Sequence, residues 1–200
     1  MKAFVINLDR RPERLEAFRK NQFPFPVERV SAVDRECGED GCTLSHLSVI
    51  GSQTEFPFVV FEDDCDMLLG WDVVETAMSQ LPPMWDALWL GATLYKPLKR
   101  YSRNLFILRN AFALQAVIYN SKRMVDFILK NHNTPHGQNL DIFYYKEVQN
   151  RFSCYIVYPL VAGQRSGMSD ISKKHQDFND EIIPRYNQHT DNANKLRRHY

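Results

Sequence analysis

Four of the five residues Glu62-Asp63-Asp64-Cys65-Asp66 are acids, and they directly follow the most apolar stretch of the chain, Phe56–Phe61. Asp and Glu are poorly tolerated inside a sheet, so this cluster marks the point where a strand stops. Two acid-x-acid pairs overlap here, Glu62 with Asp64 and Asp64 with Asp66, and Asp64 belongs to both. Carboxylates two apart in an extended turn can converge on one hard cation, and magnesium and manganese prefer such oxygen ligands. Glu62, Asp64 and Asp66 are therefore the candidate metal ligands, and a bound cation would relieve their mutual repulsion. The competing reading is a solvated acidic turn that caps a helix expected near Trp71.

The elements that must position this cluster can be read from apolar runs and breakers. Ala3–Leu8, Phe25–Ser31, Phe56–Phe61, Asp86–Leu90, Ala113–Tyr119 and Cys154–Tyr158 read as strands. Between them, Arg11–Lys20, Cys42–Gln53, Trp71–Gln80 and Ser121–Asn131 read as helices, the last capped by Ser121. Asp34–Gly41, Tyr95–Leu105 and Asn133–Gln138 read as loops, and Leu140–Glu147 as helical or irregular. Strands alternating with helices predict an α/β layer fold with a mostly parallel central sheet, whose ligands gather beyond the carboxyl ends of the strands. Residues 1–172 form the expected functional domain, and 173–200 a polar tail or terminal helix.

Composition narrows the function classes. The chain has 200 residues, 25 Lys plus Arg against 24 Asp plus Glu, and 44% apolar residues. The near-cancelled charge, with no basic patch in the interior of the sequence, argues against a nucleic-acid partner. No run approaches the roughly 20 apolar residues of a membrane span, which leaves peripheral attachment as the membrane alternative. The start, MKAFVINLDRRPERL, lacks a signal peptide's apolar core, so a cytoplasmic location with four reduced cysteines is expected. Cys37 and Cys42 could pair, but without two more ligands nearby they make a poor zinc site.

Several segments, in order, resemble glycosyltransferase family 25, which includes lipopolysaccharide and procollagen galactosyltransferases. They are Val5-Ile6-Asn7-Leu8-Asp9-Arg10-Arg11-Pro12-Glu13-Arg14, Gly41-Cys42-Thr43-Leu44-Ser45-His46, Val60-Phe61-Glu62-Asp63-Asp64 and Trp85-Asp86-Ala87-Leu88-Trp89-Leu90-Gly91. Weaker echoes follow at Ala116–Tyr119, at Leu140-Asp141 and from Pro159 through Gln164 to Ser169–Ile171. The resemblance implies a nucleotide-diphosphosugar transferase fold of the GT-A type. It also implies inverting transfer of galactose or glucose from a UDP-sugar to a glycan or protein-linked hydroxyl.

That reading gives each motif an expected role. Asn7 and Leu8, after the first strand, would meet the base and ribose, and Arg11 or Arg14 would neutralise diphosphate, against a plain reading as helix-surface charge. His46 and Asp63 would contact the donor, and Gln164 and Ser166 would complete the donor or metal site, with His175 as an outlying ligand candidate. Asp64 joins Asp141 as a catalytic candidate. Asp141, flanked by apolar residues, would be the base that takes the acceptor proton, against a plain role as a helix cap. Trp71, Trp85 and Trp89 are expected in the core, and Tyr95, Tyr101 and Tyr144 against acceptor. Two other classes compete: a silent nucleotide-sugar- or carbohydrate-binding module, and a receiver-type signalling module with Thr93 after a strand.

Overall fold

The computed structural model describes residues 1–132, 139–170, 175–177 and 179–195. In chain order the elements are β1 (Lys2–Asn7), α1 (Pro12–Phe18), β2 (Glu28–Ser31), α2 (Gly38–Gly51), β3 (Phe58–Glu62), β4 (Cys65–Met67), α3 (Trp71–Met78) and β5 (Ala87–Trp89). Short strands β6 (Thr93–Leu94), β7 (Lys99–Arg100), β8 (Leu105–Ile107) and β9 (Ala111–Phe112) precede β10 (Ala116–Tyr119) and α4 (Lys122–Asn131). Then come α5 (Leu140–Phe143), a π-helical turn (Tyr144–Val148), α6 (Gln149–Arg151), β11 (Cys154–Val157), β12 (Ala162–Gln164), β13 (Gly167–Met168), β14 (His175–Gln176) and α7 (Asn179–Lys195). The expected Asn133–Gln138 loop falls outside the described residues.

Eight strands form one sheet in the order β2-β1-β3-β10-β5-β11-β8-β7. Pairing is parallel for β1 with β2, β1 with β3 and β5 with β11, and antiparallel at the other four junctions. Six strands therefore point one way, and β10 and β8 are reversed. The fold is mixed α/β, and the reversals are a detail the apolar pattern did not indicate.

Alternation along the central strands splits the interior in two. Phe58 and Val60 of β3 face one cluster and Val59 and Phe61 the other; Trp89 and Leu88 of β5 divide the same way. Helices α2, α4 and α7 supply the first cluster through Ile50, Ile128, Ile182 and Tyr186. Helices α1 and α3 supply the second through Phe18, Trp71 and Val74. The sheet is thus covered on both faces, which explains why its strands read as continuous apolar runs. Ser121 caps α4 as expected, its Oγ accepting from the Met124 amide at 3.2 Å.

Helix α2 starts at Gly38, four residues before the expected Cys42, so the Gly-rich segment is its first turn. Glu39 and Asp40 suit the positive end of the helix dipole there. Gly41 lets that turn approach the chain after β2; a Cβ would stand 2.6 Å from the Val33 carbonyl oxygen. Gly91 is held tighter still, because a Cβ would meet the Ala162 carbonyl oxygen at 1.8 Å. Gly91→Ala is expected to lose about 2 kcal/mol or more through overpacking. Urea unfolding reads this directly, and an unchanged midpoint would show that the β5–β12 contact relaxes freely.

Candidate functional site

From β1 the chain passes through α1 to β2 on one side, and from β2 through α2 to β3 on the other. Because α1 and α2 lie on opposite faces, the sheet order reverses between β1 and β3, and such reversals open a crevice at the carboxyl ends of the strands. A cavity of about 390 Å³ lies there. Ile6 and Leu8 line it from the end of β1, Ala32 to Arg35 from the end of β2, and Glu62 to Asp64 from the end of β3. Arg10, Arg11 and Arg14 come from the β1–α1 turn and α1, Cys42 and His46 from α2, and Gln164 to Asp170 from the chain after the last sheet strand. This volume is in the range of small-molecule sites.

Arg14 is the electrostatic centre. Its Nη2 lies 2.7 Å from Asp63 Oδ1 and 2.8 Å from Asp64 Oδ2, and its Nη1 is 3.3 Å from Asp170 Oδ2. Burial alone would weaken its charge, but Asp64, Asp63, Glu62 and Asp170 outweigh it and hold the guanidinium charged. Arg10 and Arg11 also reach Asp170, at 2.7 and 3.1 Å, so three guanidinium groups share one carboxylate. Burial opposes ionisation of Asp170, yet these arginines hold its carboxyl below the usual range.

The acids behave differently. Burial, then the neighbouring Glu62 charge, pushes Asp64 up to about 7, against the pull of Arg14. Its Oδ1 is sealed from solvent and makes no hydrogen bond of ordinary geometry, although the Gln164 side chain comes close enough to the carboxyl to favour its charge. Burial likewise raises Asp63, although Arg14 and the Asn7 side chain oppose it. Asn7 does not line the cavity: its Nδ2 donates to Asp63 Oδ2 at 2.7 Å and to the Arg11 carbonyl at 3.0 Å. It is a bracket that fixes Asp63 against the β1–α1 turn.

The expected metal triple does not converge. Glu62 Oε1 sits 2.9 Å from His46 Nε2, Asp64 faces Arg14, and Asp66 Oδ1 pairs with Arg165 Nη2 at 2.8 Å. The reason is local: the chain turns at Asp63-Asp64 and re-enters a strand, β4, whose pairing places Asp66 opposite Gly163 of β12. Among the described residues, the one group of three metal-ligating side chains is Cys42, His46 and Glu62.

Asp141 also stands outside the cavity lining. Its Oδ2 accepts from the Ala113 amide at 3.2 Å, supporting a residue with φ of 78°. Burial, then Glu62, pushes its pKa up to about 6. Tyr144 is fully buried, its hydroxyl 2.9 Å from that of Tyr119, and so cannot stack on an acceptor. Tyr95 and Tyr101 are exposed, while Trp71 and Trp89 lie in the core. His175, paired opposite Met168 in β14, is not at the cavity. All four cysteines are free thiols.

No protein-family model matches the chain, and no curated protein matches its sequence. The family 25 resemblance therefore rests on its motifs alone. Among solved structures the chain is similar to A197 from STIV, at TM-score 0.49 and 11% identity, over 91% of this chain and 96% of that one. It is also similar to the apo-form glycosyltransferase GlyE of Streptococcus pneumoniae TIGR4, at TM-score 0.42 and 12% identity, over 77% of this chain and 45% of that one. A third similarity is to apo UDP-glucose pyrophosphorylase, at TM-score 0.44 and 12% identity, over 97% and 81%.

Of the expected site residues, Leu8, Arg11, Arg14, His46, Glu62, Asp63, Asp64, Gln164 and Ser166 share one cavity. Arg10, Cys42 and Asp170 also line the cavity, beyond the expected site residues. Asp170 lies inside the Ser169–Ile171 segment already singled out, but nothing in that segment foretells three arginines. No helix among the described residues is long and apolar enough to cross a membrane.

Proposed function

We propose that this chain is a glycosyltransferase of the family 25 type, moving a hexose from a UDP-sugar to a glycan or protein-linked hydroxyl. The single observation behind the reading is the cavity at the β1/β3 reversal, where Arg10 and Arg11 of the β1–α1 turn and Arg14 of α1 gather on Asp170, and Arg14 also pairs with Asp63 and Asp64 at the end of β3. Arg10, Arg11 and Arg14 offer planar, permanently charged donors for a diphosphate. Apolar Ile6, Leu8, Ala32 and Val33 suit a base and ribose.

A divalent cation, manganese or magnesium, fits best at Asp64, whose sealed Oδ1 makes no hydrogen bond of ordinary geometry and whose strongest charged neighbour is Glu62. Bound there, it would supply Lewis-acid stabilisation to the departing nucleotide. Asp66, committed to Arg165, is left out of that set. A base must lie within hydrogen-bonding reach of the acceptor hydroxyl. Asp141 stands outside the cavity lining, so it does not meet this requirement for an acceptor held in the cavity. A cytoplasmic setting and a lipopolysaccharide-type acceptor belong to the same proposal.

The test is a thermal-shift panel of nucleotide sugars, with and without manganese. A ligand that binds only the folded state at a hundred times its Kd adds about 2.7 kcal/mol, a shift of a few degrees. UDP-galactose or UDP-glucose should give the largest shift. No shift with any nucleotide sugar, in either metal condition, would sink the proposal.

A further inference from the structure

Cys42 and His46 are four residues apart on α2 and therefore share one face of the helix, which looks onto the end of β3. Glu62 closes that strand, its Oε1 2.9 Å from His46 Nε2. The ligating atoms of all three residues lie within 4.8 Å of one another. Around a tetrahedral zinc such atoms stand about 3.3–3.6 Å apart, so closure needs movements on the order of an ångström. Three further facts distinguish the group from incidental polar neighbours. His46 is only 1% exposed, its Nδ1 has no hydrogen-bond partner, and all three residues line the cavity.

We infer that Cys42, His46 and Glu62 form a binding site for one borderline divalent cation, zinc by preference, with a fourth position open to the cavity. The donor set decides the class of metal. Thiolate and imidazole favour zinc or cobalt over magnesium, calcium or manganese, whose preferred ligands are carboxylate, carbonyl and water. Three protein ligands with one vacant position is the pattern of zinc sites that take water or a substrate atom. The site is separate from the hard-cation position at Asp64, although Glu62 adjoins both. It stands whether or not the chain transfers sugar.

The experiment uses the chelator-stripped 200-residue chain titrated with zinc ions against a chromophoric competitor, and with cobalt ions followed by absorption. One equivalent of zinc should bind, and cobalt should give a thiolate charge-transfer band with the intense visible bands of a tetrahedral ion. Cys42→Ser should abolish the charge-transfer band, and His46→Gln, which removes a ligand outright, should weaken zinc by at least the roughly 10–100-fold that loss of a ligand's supporting partner costs. Cys37→Ser and Asp64→Asn should change neither, which separates this site from an exposed thiol and from the donor site. Failure of wild-type protein to compete for zinc overturns the inference without recourse to any variant. So does a cobalt–thiolate band that survives in Cys42→Ser and vanishes in Cys37→Ser.

Discussion

Under the proposed glycosyltransferase function, Asp64→Asn is expected to slow sugar transfer on the order of a thousandfold while leaving the protein as stable as wild type at pH 8, or more so. The kinetic half follows from the loss of the carboxylate proposed to hold a cation at the leaving diphosphate, a contribution of several kcal/mol. The stability half is less usual for a buried charged residue. Asp64 is held up to about 7 by burial and by Glu62, so above that pH its charge is kept against the preference of its surroundings. Removing the charge relieves that repulsion, and Arg14 still faces Asp63 at 2.7 Å and Asp170 at 3.3 Å. The guanidinium is therefore not left as an uncompensated buried ion, the circumstance that makes broken pairs costly. Steady-state turnover and a thermal melt of the same preparation measure both halves. Near-wild-type turnover would remove Asp64 from the chemistry, and a collapsed fold would show that Arg14 depends on it.

The metal-free protein should lose stability as pH rises from about 4 to about 6, and Asp141→Asn should flatten that slope. In the fold, burial and Glu62 raise Asp141 from 3.8 to about 6. Between those values the native state binds more protons than the unfolded chain, so the free energy of unfolding falls as pH increases. The full difference, about 1–3 kcal/mol once relaxation is considered, is present below the unfolded value and gone above the folded one. Asp64 adds in the same direction up to about 7. Asp170, held low by its arginines, acts in the opposite direction and in a different window, losing its contribution only as pH falls below 3.8. Asn in place of Asp141 can still accept from the Ala113 amide, so the variant isolates the charge. Denaturant midpoints across that range decide the matter; parallel slopes for variant and wild type would mean that the carboxyl is solvated.

Most of the site's composition was legible in the sequence because the residues after β1 and after β3 announce themselves. Each strand is an apolar run ended abruptly by charge, and a sheet with a reversal between β1 and β3 must bring those two ends together. What could not be read was which charges neutralise each other. The acid-x-acid spacing suggested convergence of Asp64 and Asp66, but the turn at Asp63-Asp64 and the β4–β12 pairing hand Asp66 to Arg165. Strand direction was equally hidden, since β10 is buried on both faces and its apolar pattern is the same whichever way it runs. Cys42 and Cys37 lack further ligands close by in sequence apart from His46, one helical turn from Cys42, and Glu62 joins them only through the fold.

The Asp170 carboxylate bears on how this cavity receives anything negatively charged. Arg10, Arg11 and Arg14 do not wait bare for a ligand; a side chain of the same molecule already satisfies them. Being tethered, that side chain returns far faster and more often than a free ion of modest concentration could arrive. A single carboxylate from solution must compete with it on unequal terms. An entrant bearing several anionic oxygens can engage more than one guanidinium at once and displace it, so the pocket selects for charge density before it reads any other feature of the guest.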